Sequence, residues 1–93
     1  MGYDGEAELT GSHVEPRFAR LFLKLADEMG RREGDRTVIP ITLTRQELAD
    51  LAGTTIETCI RIMSRWNKQD IVTTGKAGFV IVDRRTLEAL AQC

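Results

Sequence analysis

The sequence predicts an α+β domain of amphipathic helices and short antiparallel strands, on three observations. Apolar residues recur at steps of three and four from Phe18 to Met29, the spacing of one helix face. A second helical pattern, interrupted by Gly53, occupies the middle of the chain. The run FVIV at residues 79–82 follows two glycines, which is typical of the second strand of a hairpin. The chain has 93 residues, 42% of them hydrophobic, so we expect one domain with one core.

The N-terminal part of the chain divides into a tail and a first helix. Residues 1–11 hold three glycines and three acids, and we interpret them as a flexible tail or an added leader. The domain then spans residues 12–93. Ser12 begins an S-x-x-E capping pattern, although Pro16 also suits the first position of a helix. We expect the helix to begin at one of these two residues and to end at Gly30.

A polar stretch and a strand come next. Residues 31–36 (RREGDR) predict a polar turn. Residues 37–43 (TVIPITL) are rich in β-branched side chains and predict a strand. Because proline has no amide hydrogen, Pro40 is expected to confine this strand to a sheet edge or to an interrupted pairing.

Two helices separated by a tight turn occupy the centre of the chain. Thr44 and Glu47 form a second capping pattern, and the helix that they open ends at Gly53. The threonine pair at 54–55 supplies the cap of a third helix, which runs to about Lys68. Two helices joined so closely have the helix-turn-helix arrangement.

A hairpin and a last helix complete the prediction. Residues 71–74 and 79–82 predict two strands joined by a turn at 75–78, and Asp83 caps a short final helix. This order of elements predicts a winged helix, meaning a three-helix helix-turn-helix core with a β-hairpin wing. In that fold the third helix fits the major groove of DNA, and the N-terminal amides of the preceding helix meet a phosphate.

The third helix has two faces of different chemistry when its residues are placed about 100° apart. The apolar face, which we expect to be buried, consists of Cys59, Ile62, Met63 and Trp66. The opposite face carries the acidic residue Glu57, the basic residues Arg61 and Lys68, and the hydroxyl of Ser64. Arginine bonds guanine bidentately and glutamate accepts from the cytosine amino group, so this face has the chemistry of DNA contact.

The same segment resembles a known family. The run TRQELADLAGTTIETCIRIMSRWNKQDIV, residues 44–72, resembles the helix-turn-helix of bacterial Crp/Fnr-type transcription regulators. The resemblance extends on both sides, through VEPRFARLFLKLADEMG and VIPITLTRQELADLAG before the motif and FVIVDRRTLEALA after it. It covers about residues 12–92. The T-R-Q-E-L-A…G-T…E-T…R spacing is more specific than a general helix-turn-helix pattern.

The resemblance implies roles for individual positions. Base contacts fall on Glu57 and Arg61, which stand in the family's E-T-x-x-R run. Phosphate contacts of the second helix fall on Thr44, Arg45 and Gln46, and those of the third helix on Thr55 and Thr58. We add Ser64, for its exposed hydroxyl, and Lys76, at the predicted tip of the wing, as further phosphate contacts.

Two positions depart from the family pattern. Ile56 stands where many members carry arginine, and Ile60 stands where they carry serine or glycine. We predict that both contact bases by packing on a thymine methyl group, which shifts the preferred half-site from the common one. The alternative is that the two isoleucines lie at the edge of the core.

The resemblance also implies parts that this chain does not include. Family members carry an N-terminal sensor and a long dimerisation helix, so we interpret the chain as an effector domain cut from a longer regulator, with a truncated family member as the alternative. The implied partners are double-stranded DNA at a palindromic promoter site and a second copy of the full-length regulator. No cofactor is expected in this domain, because an effector would bind the absent N-terminal domain.

Other interpretations of the same residues remain open. Glu57 and Arg61 are four residues apart and would also suit a simple surface ion pair. Lys76 would also suit a solvated turn. The fold as a whole would also serve as a protein–protein interaction module, which Glu57 and the two isoleucines favour and the basic residues disfavour. DNA binding differs from that alternative by a steep loss of affinity with salt.

Charge and composition limit the remaining classes. The net charge of −1 averages an acidic part, with 8 acids and 5 bases in residues 1–35, and a basic part, with 6 acids and 8 bases in residues 36–93. It therefore allows DNA binding, although we expect one domain alone to bind loosely. Single-strand binding usually needs exposed aromatic side chains, and all but Tyr3 are predicted to be buried. No nucleophile–base pair, paired carboxylates or metal-ligand spacing predicts an enzyme.

Localisation follows from the same composition. The sequence has no apolar run of 18 residues, and its acidic first residues are unlike a secretory signal. Cys59 and Cys93 form no disulfide or metal pattern, and we expect Cys59 to act as a small hydrophobic residue. A cytoplasmic chain that contacts no membrane is the simplest interpretation.

Overall fold

A computed structural model describes residues 4–92 of the chain. Its elements, in chain order, are α1 (Asp4–Met29), β1 (Arg31–Glu33), β2 (Arg36–Ile39), α2 (Arg45–Ala52), α3 (Ile56–Lys68), β3 (Val72–Gly75), β4 (Gly78–Ile81) and α4 (Arg84–Ala91). The predicted α+β winged-helix class is confirmed: α1, α2 and α3 form the core, and β3 and β4 form the wing. The predicted caps at Thr44, Thr55 and Asp83 are all present.

The strands form one antiparallel sheet in the order β1-β2-β4-β3. Val38 of β2 pairs with Val80 of β4, and on the other side of β4 Thr74 pairs with Phe79. Of the two alternatives for Pro40, the sheet edge is wrong, because β2 lies between two other strands. The other holds: the strand predicted over residues 37–43 is interrupted at Pro40, since β2 ends at Ile39.

The predicted polar turn at residues 31–36 is also wrong, because this stretch forms a hairpin. Arg31 to Glu33 pair with Arg36 to Val38, and the chain reverses at Gly34, whose φ of 66° is left-handed. All six residues are exposed. The stretch contains no large apolar side chain, so no alternation of apolar and polar residues marks its pairing in the sequence.

The first helix begins at Asp4, and not at Ser12 or Pro16 as predicted. Residues 4–11, assigned above to a flexible tail, therefore belong to α1, and Pro16 lies inside this helix. Residues 1–3 and Cys93, with the predictions made for Tyr3 and Cys93, fall outside the described residues. From Val14 onward α1 buries Phe18, Ala19 and Phe22 against the rest of the core.

Trp66 of α3 lies at the centre of this core. Its ring is fully buried and meets Phe18 edge-on at 6.3 Å and Phe22 at 5.9 Å between ring centroids. Phe22 in turn meets Phe79 of β4 at 5.2 Å. Each buried ring contributes about 1.5–3 kcal/mol through the hydrophobic effect. The aromatic contacts thus hold α3 to α1 and to the wing in one rotational setting.

The turn between α2 and α3 is fixed by Gly53. Its φ of 74° is left-handed, which glycine adopts without strain, and its amide donates to the carbonyls of Ala49 and Asp50. The guanidinium of Arg17 on α1 donates to the carbonyls of Ala52 and Gly53, each at 3.4 Å. The positive charge of Arg17 on α1 therefore stabilises the carboxyl end of α2. The left-handed turn at Gly53 and the hydrogen bonds from Arg17 together fix the angle between α2 and α3.

Candidate nucleic-acid interface

The two faces of α3 lie as the helical spacing predicts. Cys59, Ile62, Met63 and Trp66 are at most 3% exposed and form the buried stripe. Glu57, Arg61, Ser64 and Lys68 are exposed. Burial raises the pKa of the Cys59 thiol, an effect that the nearby charge of Arg45 opposes, so this side chain behaves as a neutral core residue. The packing of one face therefore presents the other to solvent.

The two predicted base-contact residues of the E-T-x-x-R run are free to meet a ligand. Glu57 lies in the first turn of α3 and Arg61 lies one turn later. Within residues 4–92, no ion pair or hydrogen bond joins the two side chains, so the surface pair allowed by their spacing is not formed. A free carboxylate and a free guanidinium thus project from the same face of the helix.

Two isoleucines extend this face. Ile56 is 37% exposed and Ile60 is 49% exposed, so both side chains meet solvent, and neither belongs to the buried core. Leu51 of α2, which the sequence groups with the apolar positions of its helix, is 58% exposed. An exposed isoleucine offers methyl groups and no hydrogen bond, which is the chemistry that fits a thymine methyl.

The N-terminus of α2 carries three of the predicted phosphate contacts. The Thr44 hydroxyl accepts from the Glu47 amide at 3.0 Å, and the Glu47 carboxylate accepts from the Thr44 amide at 2.8 Å, which is the predicted capping box. The Arg45 guanidinium is half-buried and donates to the Thr74 hydroxyl at 3.4 Å. The side-chain amide of Gln46 donates to the Asp50 carboxylate at 2.9 Å. It must release this hydrogen bond before it can donate to a phosphate.

The N-terminus of α3 presents two linked hydroxyls. Thr55 caps the helix by accepting from the Thr58 amide at 3.3 Å, and its own hydroxyl donates to that of Thr58 at 3.1 Å. The hydrogen of the Thr58 hydroxyl is then directed elsewhere and is free to meet an acceptor. Helix amides and hydroxyl donors converge here, an arrangement that favours an anion.

The wing places Lys76 at the turn between β3 and β4, where its side chain is exposed. Gly78 fixes this turn to the body of the domain: its φ is 138°, and a Cβ at this position would overlap the backbone of Ile39 and Ile41. Only glycine fits such an approach. The close contact sets the position of the wing, and hence of Lys76, relative to α2 and α3.

An open groove runs between α3, the N-terminus of α2 and the wing. It has a volume of about 290 Å³ and is lined by Arg45, Ile60, Met63, Ser64, Asn67 and Thr74. Asn67 and Thr74 are not among the residues that the sequence predicts to contact DNA. The spacing of three between Ser64 and Asn67 would have found the first, whereas Thr74 comes close only through the fold. The groove adds an amide and a hydroxyl beside the predicted phosphate contacts Arg45 and Ser64.

One basic residue of α3, Arg65, differs from the others because it is paired within the domain. Arg65 forms an ion pair with Glu15 of α1 at 2.9 Å, and the same carboxylate oxygen accepts from the Trp66 indole at 2.8 Å. The sequence predicts Glu15 as part of a helix cap, which is wrong because α1 begins far before it. Fifty-one residues separate Glu15 from Trp66, so no local pattern indicates the contact.

Within residues 14–92, whose side chains the structure describes, no group of three or more His, Cys, Asp or Glu side chains is placed to hold a metal ion. No helix in this range is both long and apolar enough to cross a membrane.

Known proteins resemble the chain in sequence and in fold. Electron transport regulator A of Shewanella oneidensis is 29% identical over 83 residues, covering 89% of this chain and 33% of the relative. Transcriptional activatory protein AadR of Rhodopseudomonas palustris is 27% identical over 78 residues, covering 84% of this chain and 33% of the relative. The chain thus spans about a third of the length of these relatives.

Solved structures agree with the sequence comparison. The catabolite activator protein of Thermus thermophilus superposes with a TM-score of 0.71 at 27% identity, covering 96% of this chain and 39% of that protein. Reduced CprK without ligand superposes with a TM-score of 0.75 at 25% identity, covering 83% of this chain and 37% of that protein. The Crp-like helix-turn-helix domain family matches residues 16–90. The chain therefore belongs to the family of Crp-like helix-turn-helix domains.

Proposed function

We propose that this chain is the DNA-binding domain of a Crp/Fnr-type transcription regulator and that it binds double-stranded DNA sequence-specifically through α3. The observation that carries the proposal is the exposed face of α3, where Glu57 and Arg61 have no side-chain partner among residues 14–92, while the opposite face of the helix is buried in the core. A helix of this kind enters the major groove, where each base pair shows a distinct pattern of donors and acceptors.

Four residues read bases in this proposal. The Arg61 guanidinium donates two hydrogen bonds to a guanine, and the Glu57 carboxylate accepts from a cytosine amino group. Ile56 and Ile60 pack on thymine methyl groups. Because isoleucine replaces hydrogen-bonding or small residues of the family at both positions, selection from random DNA should return a half-site that differs from the common one. Recovery of the common half-site unchanged would contradict the roles of the two isoleucines.

The remaining predicted residues contact the phosphates. Thr44, Arg45 and Gln46 meet one strand through the N-terminus of α2, and Thr55 and Thr58 meet it through the N-terminus of α3. Ser64 and the wing residue Lys76 add contacts on either side of α3. The exposure of Thr44 and Lys76, and the acceptor roles of the Thr44 and Thr58 hydroxyls, which leave each able to donate to a phosphate, support these assignments.

The longer protein to which the domain belongs is proposed by analogy with its relatives. The two curated relatives are named as an electron transport regulator and as a transcriptional activatory protein, and this chain matches a third of each. We infer that the domain serves as the effector part of a cytoplasmic regulator whose signal binds elsewhere in the protein. Pairing of two copies would place two α3 helices one helical turn apart on a palindromic site.

A mobility-shift assay with Arg61→Ala tests the proposal. On a duplex selected from random DNA, loss of a bidentate contact should weaken binding by about 5-fold to 150-fold, which corresponds to about 1–3 kcal/mol. Arg85→Ala removes the same charge from the exposed surface of α4 and should leave affinity nearly unchanged. Equal effects of the two variants would contradict base reading by Arg61.

The exposed Ile56, Ile60 and Leu51 favour one second candidate, a protein–protein interaction module. Salt separates the two functions. DNA binding through several phosphates should weaken steeply between 50 and 200 mM salt, whereas an apolar contact made by isoleucines should change little. The absence of any salt-dependent binding to duplex DNA would favour the second candidate.

A further inference from the structure

The pair formed by Glu15 and Arg65 differs from an ordinary surface ion pair. The Glu15 side chain is only 23% exposed, and its carboxylate is held at 2.8 Å by the indole of the fully buried Trp66. Surface pairs are weak because two long side chains must give up their freedom. Here the core has already fixed the carboxylate, so only the arginine must be ordered.

Arg65 stands next to the residues proposed to contact DNA. It lies one turn after Arg61 and three residues before Lys68, so the three cations form a row along the exposed side of α3. The Arg65 side chain remains 45% exposed, and its guanidinium is within reach of a ligand docked on that side. A phosphate that approaches Arg65 would also meet the negative charge of Glu15, 2.9 Å away.

We propose that Glu15 keeps Arg65 out of the set of residues that neutralise DNA phosphates, and so lowers the sequence-independent part of the affinity. The inference rests on the proposed function, since it assumes that α3 docks on duplex DNA. Glu15 acts in it as a positioning residue. It touches no DNA, and it determines how many cations of the third helix are available to the backbone.

The test is a salt titration of DNA binding by the 93-residue chain. Glu15→Gln keeps an oxygen acceptor for the Trp66 indole and removes the charge that holds Arg65. This variant should bind selected and scrambled duplexes more tightly by the same factor. One additional phosphate contact should steepen the slope of log K against log salt by about 0.9, so the variant loses about 3.5-fold more affinity than wild type between 50 and 200 mM.

Three variants distinguish release of Arg65 from a general change in charge. Glu28→Gln makes the same charge change at an exposed position of α1, where Glu28 forms no ion pair with any of residues 14–92, and should leave the slope unaltered. Arg65→Gln alone should also leave it unaltered. Combining Glu15→Gln with Arg65→Gln should restore the wild-type slope, because the released cation is then absent. The helical signal in circular dichroism reports whether each variant is folded, independently of the Trp66 indole that Glu15 contacts.

The salt slopes of these variants either support the role of Glu15 or overturn it. A wild-type slope in Glu15→Gln, or a slope that Glu28→Gln reproduces, would overturn it. If Glu15→Gln fails to fold, Arg65→Gln decides alone: an unaltered slope supports the inference, and a slope reduced by about 0.9 shows that Arg65 already contacts a phosphate and overturns it. Failure of the wild-type chain to bind duplex DNA would instead overturn the proposed function.

Discussion

The two faces of α3 use the same 13 residues for opposite purposes. The inner face places Cys59, Ile62, Met63 and Trp66 in a core that excludes water. The outer face leaves Glu57 and Arg61 without partners within the described part of the chain and leaves two isoleucines exposed. The inner face is satisfied by the domain itself, whereas the outer face offers donors, acceptors and methyl groups that the domain does not use.

This difference indicates how the domain combines stability with recognition. The inner contacts fix the rotation of the helix about its axis, and that rotation determines which side chains reach a ligand. Substitutions on the inner face should therefore mainly lower the free energy of unfolding, and those on the outer face should change the affinity for DNA alone. The predictions below test that separation, from the largest expected effect to the smallest.

Trp66→Ala should have the largest effect. It removes a fully buried ring that contacts Phe18 and Phe22, and it leaves the Glu15 carboxylate without its indole donor. We expect a loss of about 3–5 kcal/mol in the free energy of unfolding, measured by urea denaturation. Lys68→Ala, on the outer face of the same helix, should change stability by less than about 0.5 kcal/mol. A loss below about 1 kcal/mol for Trp66→Ala would contradict the central position of this ring.

Thr55→Ala should affect both properties, because Thr55 lies where the two faces meet. Loss of the cap to the Thr58 amide should cost about 1 kcal/mol of stability. DNA affinity should fall as well, measured at a temperature where the variant is fully folded, because a phosphate contact is lost. Thr55→Ser keeps the hydroxyl and should restore both. A cap loss with unchanged DNA affinity would restrict Thr55 to a structural role.

Asp83, which caps α4, gives the smallest expected effect and a control outside the proposed DNA contacts. Its carboxylate accepts from the Thr86 hydroxyl at 2.7 Å and from the Thr86 amide at 3.1 Å, and these hydrogen bonds lower the pKa of Asp83 from its usual 3.8. The contribution to stability is present above the pKa of the unfolded chain and is lost as the pH falls through the lower pKa of the folded chain.

Asp83→Asn should therefore weaken the dependence of stability on pH below about pH 4, measured by thermal unfolding. It should leave DNA affinity at neutral pH unchanged, because the residue caps α4. An identical pH dependence in the variant and the wild type would show that this cap contributes nothing to acid sensitivity.

The sequence predicts the parts of the fold that local chemistry determines. Thr44, Thr55 and Asp83 cap helices as expected because each bonds an amide three residues later, and Gly53 ends α2 because the turn is left-handed. The buried stripe of α3 follows from spacing alone. The exposed residues of its other face follow in the same way, although their roles toward DNA stay predictions.

The sequence-based predictions are wrong at positions whose structure depends on contacts with distant parts of the chain. Residues 31–36 show no apolar alternation, since all six are exposed, and their pairing rests on β2, which the neighbouring β4 holds in the sheet. Pro16 suggests a helix start but lies inside α1. The bonds from Glu15 to Arg65 and Trp66 join distant segments and leave no local pattern. A residue such as Glu15, which acts on the exposed face of α3 only through Arg65 and Trp66, is thus harder to predict than the residues that form that face.

The most direct test of the separation between the two faces is a nuclear magnetic resonance titration of the chain with a duplex selected from random DNA. The account predicts that shift changes concentrate at residues 44–46, 55–61, 64 and 76, while the exposed residues of β1 and α4 stay unperturbed. A response concentrated on β1 and α4, with Glu57 and Arg61 unaffected, would contradict the claim that the outer face of α3 binds DNA.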